Sequence, residues 1–380
     1  MTPTPYYIVY EDRLRRNLDL ITSVSRRSGA EIIMAFKANA LWRTFPVFRE
    51  YGVASTASSL NEMQLAVEEL HRLAHSYCPA YTDATIGEYM RGSSHITFNS
   101  VAQYERFAGR IKEYAASPYG HPISCGLRIN PMCSVVDTDI YNPCGPGSRF
   151  GVTAGRMPAE LPEGIEGFHF HALCESTSHD LAKVLAAVEE QFGMYLPQLK
   201  WLNMGGGHLM TRDGYDTDHL VALLRDFGSR YPNLHLILEP GSAFTWRTGD
   251  LIASVVDVVE NSGIATIIAD VSFACHMPDC LEMPYKPTVS EALPEGTPGG
   301  FSYRIGGNSC LSGDFVGDWS FASPVKPGDR LTFEDMNHYT TVKTNMFNGI
   351  QHPAIVLKRL DGSVVTLREF TYNDYKSRMD

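Results

Sequence analysis

Between residues 30 and 240, short apolar runs alternate with amphipathic stretches. The runs predict strands over 32–37, 52–56, 76–80, 96–99, 123–130, 167–172, 201–205 and 234–239. Apolar residues recurring at helical spacing predict helices over 11–25, 59–73, 101–114, 179–195 and 216–231. Eight strands, each followed by helical or loop sequence, predict an α/β fold of the parallel (β/α)8 barrel type. A doubly wound sheet alternates in the same way, but no GxGxxG turn enters a helix in this chain. After Gly249 the texture changes to short β-branched runs over 251–259, 265–269, 330–333, 354–357 and 363–368. Gly- and Pro-rich turns separate them, which predicts a C-terminal β-rich domain. The expected division is a barrel over 11–248 and a β domain over 249–380, which the strand within 1–10 joins.

Composition narrows the function classes. With 380 residues, 44% hydrophobic and 20% charged, the chain has the make-up of a globular protein large enough for one big domain and a smaller one. A net charge of -11 disfavours nucleic acid as a partner and steers cationic small molecules toward the surface. No apolar run approaches a membrane span, so no membrane role is expected. The N-terminal residues lack a basic segment followed by an apolar core, so no signal peptide is expected. The eight cysteines are scattered without a CxxC pair, which argues against a zinc ribbon or disulfide scaffold and fits a reducing cytoplasm.

The unusual residues fall at the predicted C-terminal ends of the barrel strands, where such barrels place their active sites. Lys37 ends the first strand, Arg128 nearly ends the fifth, His171 ends the sixth, Gly205-Gly-Gly207 the seventh and Glu239 the eighth. A strand-end lysine commonly sends its ammonium to water. Partly desolvated, its amine instead condenses with a carbonyl cofactor. Gly205, Gly206 and Gly207 suit either a tight turn or close approach of backbone N–H groups to a phosphate. Glu239-Pro-Gly241 puts a carboxylate at the barrel mouth, for a ligand or for an internal salt bridge. His169 and His171 share a strand face, yet no third ligand stands at suitable spacing, so no metal is expected. A histidine over a flat aromatic cofactor, or a satisfied core histidine, is the remaining choice.

These residues resemble a known family. Met34-Ala-Phe-Lys37-Ala-Asn39, Gly167-Phe-His-Phe-His171, the Gly205–Gly207 loop, Glu239-Pro-Gly241 and Cys310 occur in this order in the fold-type III pyridoxal-phosphate decarboxylases. That alanine-racemase-like group includes the ornithine, diaminopimelate and arginine decarboxylases. Several longer segments are similar to the branch that acts on carboxylated polyamines: His169-Phe-His-Ala-Leu-Cys-Glu175, Asn203-Met-Gly-Gly-Gly-His208, His276-Met-Pro-Asp279, Cys310-Leu-Ser-Gly-Asp314 and the stretch 338–349. The resemblance runs over nearly the whole chain.

It implies pyridoxal 5'-phosphate as cofactor, held covalently by Lys37, with His171 stacked on the ring and Glu239 at the pyridine nitrogen. Gly205, Gly206, Gly207 and Tyr339 would hold the phosphate, and Arg128 would lie near the ring's other edge. In a homodimer with shared active sites, Cys310 and Asp314 would reach into the partner's site, Cys310 as the acid that protonates Cα. A carboxylate at the pyridine nitrogen favours decarboxylation over racemisation. The implied activity is loss of CO2 from carboxynorspermidine or carboxyspermidine. The pocket candidates Glu175, Asp279 and Asp314 are all acidic, which suits a substrate whose far end carries amines. A diaminopimelate site would need a cation for the distal carboxylate. Diaminopimelate or arginine decarboxylation and a non-catalytic cofactor-binding barrel are the alternatives. The chain departs from the family at Ser242, where ornithine decarboxylase-type enzymes carry a phosphate-binding arginine. Two other departures are Ser55, in place of an aspartate, and Gly307-Asn308-Ser309 before Cys310.

Overall fold

The structure, a computed structural model, describes residues 2–136 and 141–380. Its strands sort into two compact units, Asn17–Phe244 and the chain up to Arg16 together with Thr245–Asp380. The expected boundaries at 10/11 and 248/249 shift because the first turn of helix Glu11–Ser28 is tied to the second unit. Arg13 pairs with Asp250 at 3.7 Å, and the Tyr10 N–H donates to the Thr248 carbonyl.

In the first unit the parallel strands Ser55–Ala57, Ala74–Tyr77, Ser93–Phe98, Ser124–Asn130, Ile165–His169, Trp201–Asn203 and His235–Leu238 pair in sequence order. The remaining strand is broken at Ile33 into Glu31–Ile32, paired with the last strand, and Met34–Ala35, paired with Ser55–Ala57. The ring therefore closes through that break, which gives the expected (β/α)8 barrel. Every predicted strand is present, displaced at its ends by a few residues. The helix predicted over 59–73 is α-helical only over Leu60–Leu65, with the Ser59 hydroxyl capping the Glu62 N–H. A π-helical turn, Ala66–Leu70, follows and ends at His71 in the left-handed region.

The barrel interior shows why two glycines occupy neighbouring strands. A Cβ at Gly126 would lie 2.2 Å from the Trp201 indole, and one at Gly167 would lie 1.9 Å from it. The indole fills the space that two side chains vacate, and its N–H donates to the Ser124 hydroxyl at 2.8 Å. Outside, helix Ser178–Phe192 starts from a capping box between Thr177 and Asp180. It buries Leu181, Val184, Leu185, Val188 and Phe192, a single face at helical spacing.

In the second unit, strand Tyr6–Tyr10 lies between Gly249–Asn261, antiparallel to it, and Ala354–Lys358, parallel to it. The sheet runs outward through Ile264–Ala269, Phe301–Gly306 and Phe315–Phe321 on one side and Val364–Arg368 on the other. Phe301–Gly306 and Phe315–Phe321 were not anticipated, because both mix exposed and buried positions with charges that mask the alternation. Leu251, Ala253, Ile267, Ile305, Trp319 and Phe333 belong to one buried core. No helix among the described residues is long and apolar enough to cross a membrane.

Candidate active site

A cavity of about 840 Å³ opens in the barrel unit, and Lys37, Arg128, His169, His171 and Glu239 all line it. Four of the five were singled out from sequence for this place. Lys37 follows Met34–Ala35 in a tight turn that carries its side chain out of the buried strand into the cavity. There the amine is exposed to the cavity yet surrounded by protein. Burial lowers its pKa, the Arg128 guanidinium lowers it further, and the carboxylates of Glu239 and Glu62 act in opposition. A lowered pKa makes a larger share of the amine nucleophilic at neutral pH.

His171 Nε2 lies 3.5 Å from Lys37 Nζ. Burial, then the charges of Lys37 and Arg128, push its pKa well below the ordinary histidine value, so the ring is neutral. Its Nδ1 accepts the Gly206 N–H at 2.9 Å, which puts the ring proton on Nε2, facing Lys37. Arg128 is buried between the rings of Tyr77 and Phe150, its guanidinium carbon 4.7 and 4.4 Å from their centroids. It also donates to the His171 carbonyl at 3.3 Å.

Glu239 is nearly buried, at 9% exposure. Burial opposes its ionisation, yet His169 and the Asn203 amide overcome this and hold its carboxyl down to about 2. Asn203 donates to Oε1 at 2.7 Å, and His169 Nε2 sits 3.5 Å from Oε2. The cavity thus presents an amine at its wall and a fixed negative charge at its base. Asn203 escaped the sequence reading. Its signal was a polar residue in the last position of a buried strand, immediately before the glycine run.

The glycine run forms the tight turn that was one of its two readings. The Gly205 N–H donates to Asn203 Oδ1 and the Gly206 N–H to His171, so two of the three amides already have partners inside the protein. Gly205 and Gly207 have φ of +68° and +90°, and a Cβ on either would strike the backbone of Phe170–Leu173. A Cβ on Gly206 would lie 2.7 Å from the Glu239 carbonyl oxygen. The glycines let three strand ends meet, and this contact orients His171 and Asn203. Beside them, His208 is buried, and burial takes its pKa down to about 4.

Glu175 lies beyond His171 in the same unit, exposed, with its backbone in the left-handed region at φ 47°. Asp279, Cys310, Asp314 and Tyr339 belong to the second unit, where hydrogen bonds tie three loops together. The Cys310 N–H donates to Asn348 Oδ1, and the Asn345 side chain donates to the Ala274 carbonyl. Cys310 is exposed at the tip of its loop. Asp314, expected to meet a substrate, is instead 4% exposed and turned inward. Its Oδ1 accepts the Ala274 N–H, and its Oδ2 accepts the Ser309 hydroxyl at 2.6 Å. Through these bonds Asp314 shapes the Cys310 loop. Asp279 is also engaged, since Lys343 Nζ donates to its Oδ1 at 2.6 Å and to Glu282 as well. Tyr339 is half-buried, with φ of 50°.

A family model described as pyridoxal-dependent decarboxylase, C-terminal sheet domain, matches residues 9–337. A carboxyaminopropylagmatine decarboxylase of Synechocystis is 46% identical, the match covering 99% of this chain and 95% of that one. A carboxynorspermidine/carboxyspermidine decarboxylase of Campylobacter jejuni is 39% identical, covering 99% and 98%. The crystal structure of carboxynorspermidine decarboxylase from Campylobacter jejuni, complexed with norspermidine, superposes with a TM-score of 0.90 at 38% identity, covering 99% of this chain and all of that one. A diaminopimelate decarboxylase from Helicobacter pylori shares the fold with a TM-score of 0.85 at 16% identity, covering all of this chain and 97% of the other.

Proposed function

The chain belongs to the pyridoxal-dependent decarboxylases, and from that premise we propose that it removes CO2 from a carboxylated polyamine, carboxynorspermidine or carboxyspermidine. The observation that carries the reading is the pairing, in one cavity, of the Lys37 amine, its pKa lowered by its surroundings, with an ionised carboxylate at Glu239. The residues present fit pyridoxal 5'-phosphate. Lys37 would hold it, Glu239 would face its pyridine nitrogen, and His171 would lie against the ring. Bound there, the cofactor supplies an electron sink for the pair left on Cα when CO2 departs.

The chain's own residues do the rest. Glu239 is an acceptor that keeps a proton on the group opposite it, because a fixed negative charge raises that group's pKa. Asn203 and His169 keep Glu239 ionised and aimed. Arg128, locked between two rings and bonded to the backbone of His171, fixes the second wall. Ser242 leaves the phosphate without the arginine of the ornithine enzymes, so within the barrel its partners would come from the Gly207 region. Cys310 is the proposed proton donor to Cα.

Near Cys310 in the sequence, Leu311 and Phe315 are exposed apolar side chains, as is Phe347 beside Asn348, which accepts the Cys310 N–H. A second copy of this chain is the proposed cover, in a homodimer that presents Cys310 to the partner's cavity. All eight cysteines are free thiols, which supports a cytoplasmic setting.

A second reading concerns the far end of the substrate. The 46% identity to the Synechocystis relative favours a guanidinium there rather than an ammonium. Both cations suit an exposed carboxylate such as Glu175. One experiment tests both layers. Purified enzyme is reduced with borohydride and digested, and the cofactor adduct is sought on Lys37. CO2 release is then compared for carboxynorspermidine, carboxyspermidine, carboxyaminopropylagmatine and diaminopimelate. Absence of an adduct on Lys37 overturns the cofactor reading, and preference for diaminopimelate overturns the substrate class.

A further inference from the structure

Arg128 sits at the cavity wall with its guanidinium against the rings of Tyr77 and Phe150, so its place depends on what fixes those rings. One half-buried side chain, Asn99, bonds to both neighbourhoods. It follows the strand Ser93–Phe98 and precedes Ser100, whose hydroxyl caps the helix Val101–Ala116. Asn99 Oδ1 accepts the Tyr77 hydroxyl at 2.9 Å and the Gly151 N–H at 2.8 Å. Asn99 Nδ2 donates to the Arg149 carbonyl at 2.8 Å. The bonds to Arg149 and Gly151 flank Phe150 on either side, and the bond to Tyr77 holds the other ring by its hydroxyl.

This arrangement exceeds what closing a loop requires. Arg149 and Gly151 belong to the chain that follows the strand Ser124–Asn130, whereas Tyr77 ends the strand Ala74–Tyr77. A side chain that only tied the loop down would have no use for the tyrosine hydroxyl. A carboxamide serves here because one planar group offers an acceptor with two lone pairs and a donor. Arg128 itself is 4% exposed, and its bond to the His171 carbonyl links it to the residue facing Lys37.

Resting on the decarboxylase reading, we infer that Asn99 is a positioning residue that holds the Arg128 guanidinium at the cavity wall by fixing both rings against which it lies. Asn99 does not line the cavity and acts only through Arg128. What it secures is one setting of a buried cation relative to Lys37 and His171. None of its bonds reaches Glu239, Glu62 or Cys174, the groups whose charges act on Lys37 in the opposite sense to Arg128.

Asn99→Ala removes these bonds, while Phe150 keeps the bond from Asn130 Nδ2 to its carbonyl at 3.0 Å. Tyr77→Phe deletes only the hydroxyl and keeps the ring, so it is the second variant should the alanine fold poorly. The first readout uses cofactor-free protein. Trace acetic anhydride is applied across a pH series, and acetylation of the Lys37 peptide is quantified by mass spectrometry, which yields the pKa of that amine. Burial and then Arg128 lower this pKa, so a displaced guanidinium raises it. Expected is a rise of about half a pH unit in Asn99→Ala and a smaller one in Tyr77→Phe. Added to Arg128→Met, the Asn99→Ala change should raise it no further, because its effect runs through the missing guanidinium. In the loaded enzyme, kcat/KM for carboxynorspermidine should fall about tenfold in Asn99→Ala. A loss of stability alone would lower Tm and leave the Lys37 titration where it is. Folded variants with the wild-type titration, or an equal shift with and without Arg128, overturn the inference. If borohydride leaves no adduct on Lys37 of the wild type, the decarboxylase reading has failed instead, and the cofactor-free titration still judges Asn99.

Discussion

Glu239→Gln isolates the charge at the base of the cavity with little change in shape. Gln keeps an oxygen for the Asn203 amide, which now binds Oε1 at 2.7 Å. It also keeps the volume of a side chain that is 9% exposed, so no cavity opens. What it removes is an ionised group whose carboxyl falls from 4.5 to about 2, a preference for the charged form of about 3 kcal/mol at ~1.4 kcal/mol per unit. The folded pKa is depressed, so this stabilisation is present above about pH 4.3 and lost as pH falls toward about 2. For catalysis the relevant figure is the attraction between that carboxylate and a cation facing it. Two unit charges about 4 Å apart in a medium of effective dielectric about 20 attract by about 4 kcal/mol. Asn203 and His169 share the carboxylate, so a loss of about 100- to 1000-fold in kcat is expected rather than the full amount. Steady-state CO2 release at neutral pH reads kcat, an absorbance titration reads cofactor affinity, and Tm confirms the fold. A folded Gln variant with kcat within about threefold of wild type refutes the electrostatic role of Glu239.

Three further outcomes follow from single contacts. Lys37→Ala and Cys310→Ala variants should each lose most CO2 release. Mixed and allowed to exchange subunits, they should recover up to about a quarter of wild-type activity, because half the sites in a mixed dimer are intact. No recovery despite proven exchange would place both residues in one subunit's site or remove Cys310 from the chemistry. Gly167→Ala drives a Cβ to 1.9 Å from the Trp201 indole, a rigid neighbour, so stability should drop by about 3 kcal/mol in urea unfolding. A Tm equal to wild type would show that the indole has room to move. Asp314→Asn replaces an acceptor of three donors, the Ala274 N–H and the Ser309 N–H and hydroxyl, and should cost about 1–3 kcal/mol while lowering kcat more than it raises KM. A raised KM with kcat unchanged would return Asp314 to direct substrate contact.

The barrel was legible because its strands are buried on both sides and read as apolar runs, while the residues at their ends stand out as breaks in that pattern. Lys37, Arg128, His171 and Glu239 are polar groups that terminate such runs, and the structure brings them to one cavity. Residues whose partners are remote in sequence were harder. Asp314 is acidic and sits in a polar loop, which reads as a surface or ligand residue, yet its bonds to Ala274 and Ser309 bury it. Asp279 read the same way until Lys343, far along the chain, supplied its counter-charge. A single sequence displays acids but not the donors folding brings to them, so charge arguments about a pocket overcount the free ones.

That overcount bears on what recognises the substrate. Asp314 is turned inward, and Asp279 and Glu282 share one ammonium, Lys343, so that group of two carboxylates retains a single net charge. One net negative charge suits a singly charged terminus and does not choose between ammonium and guanidinium. Shape must therefore choose: a guanidinium needs two acceptors in one plane, whereas an ammonium donates to acceptors in any direction. Glu175 is exposed, with its backbone in the left-handed region at φ 47°. Glu175→Gln should consequently raise KM for every cationic substrate by a similar factor, whereas Glu282→Gln should change the ratio between the agmatine and norspermidine derivatives. Equal ratios in both variants would place the discrimination elsewhere than in these acids.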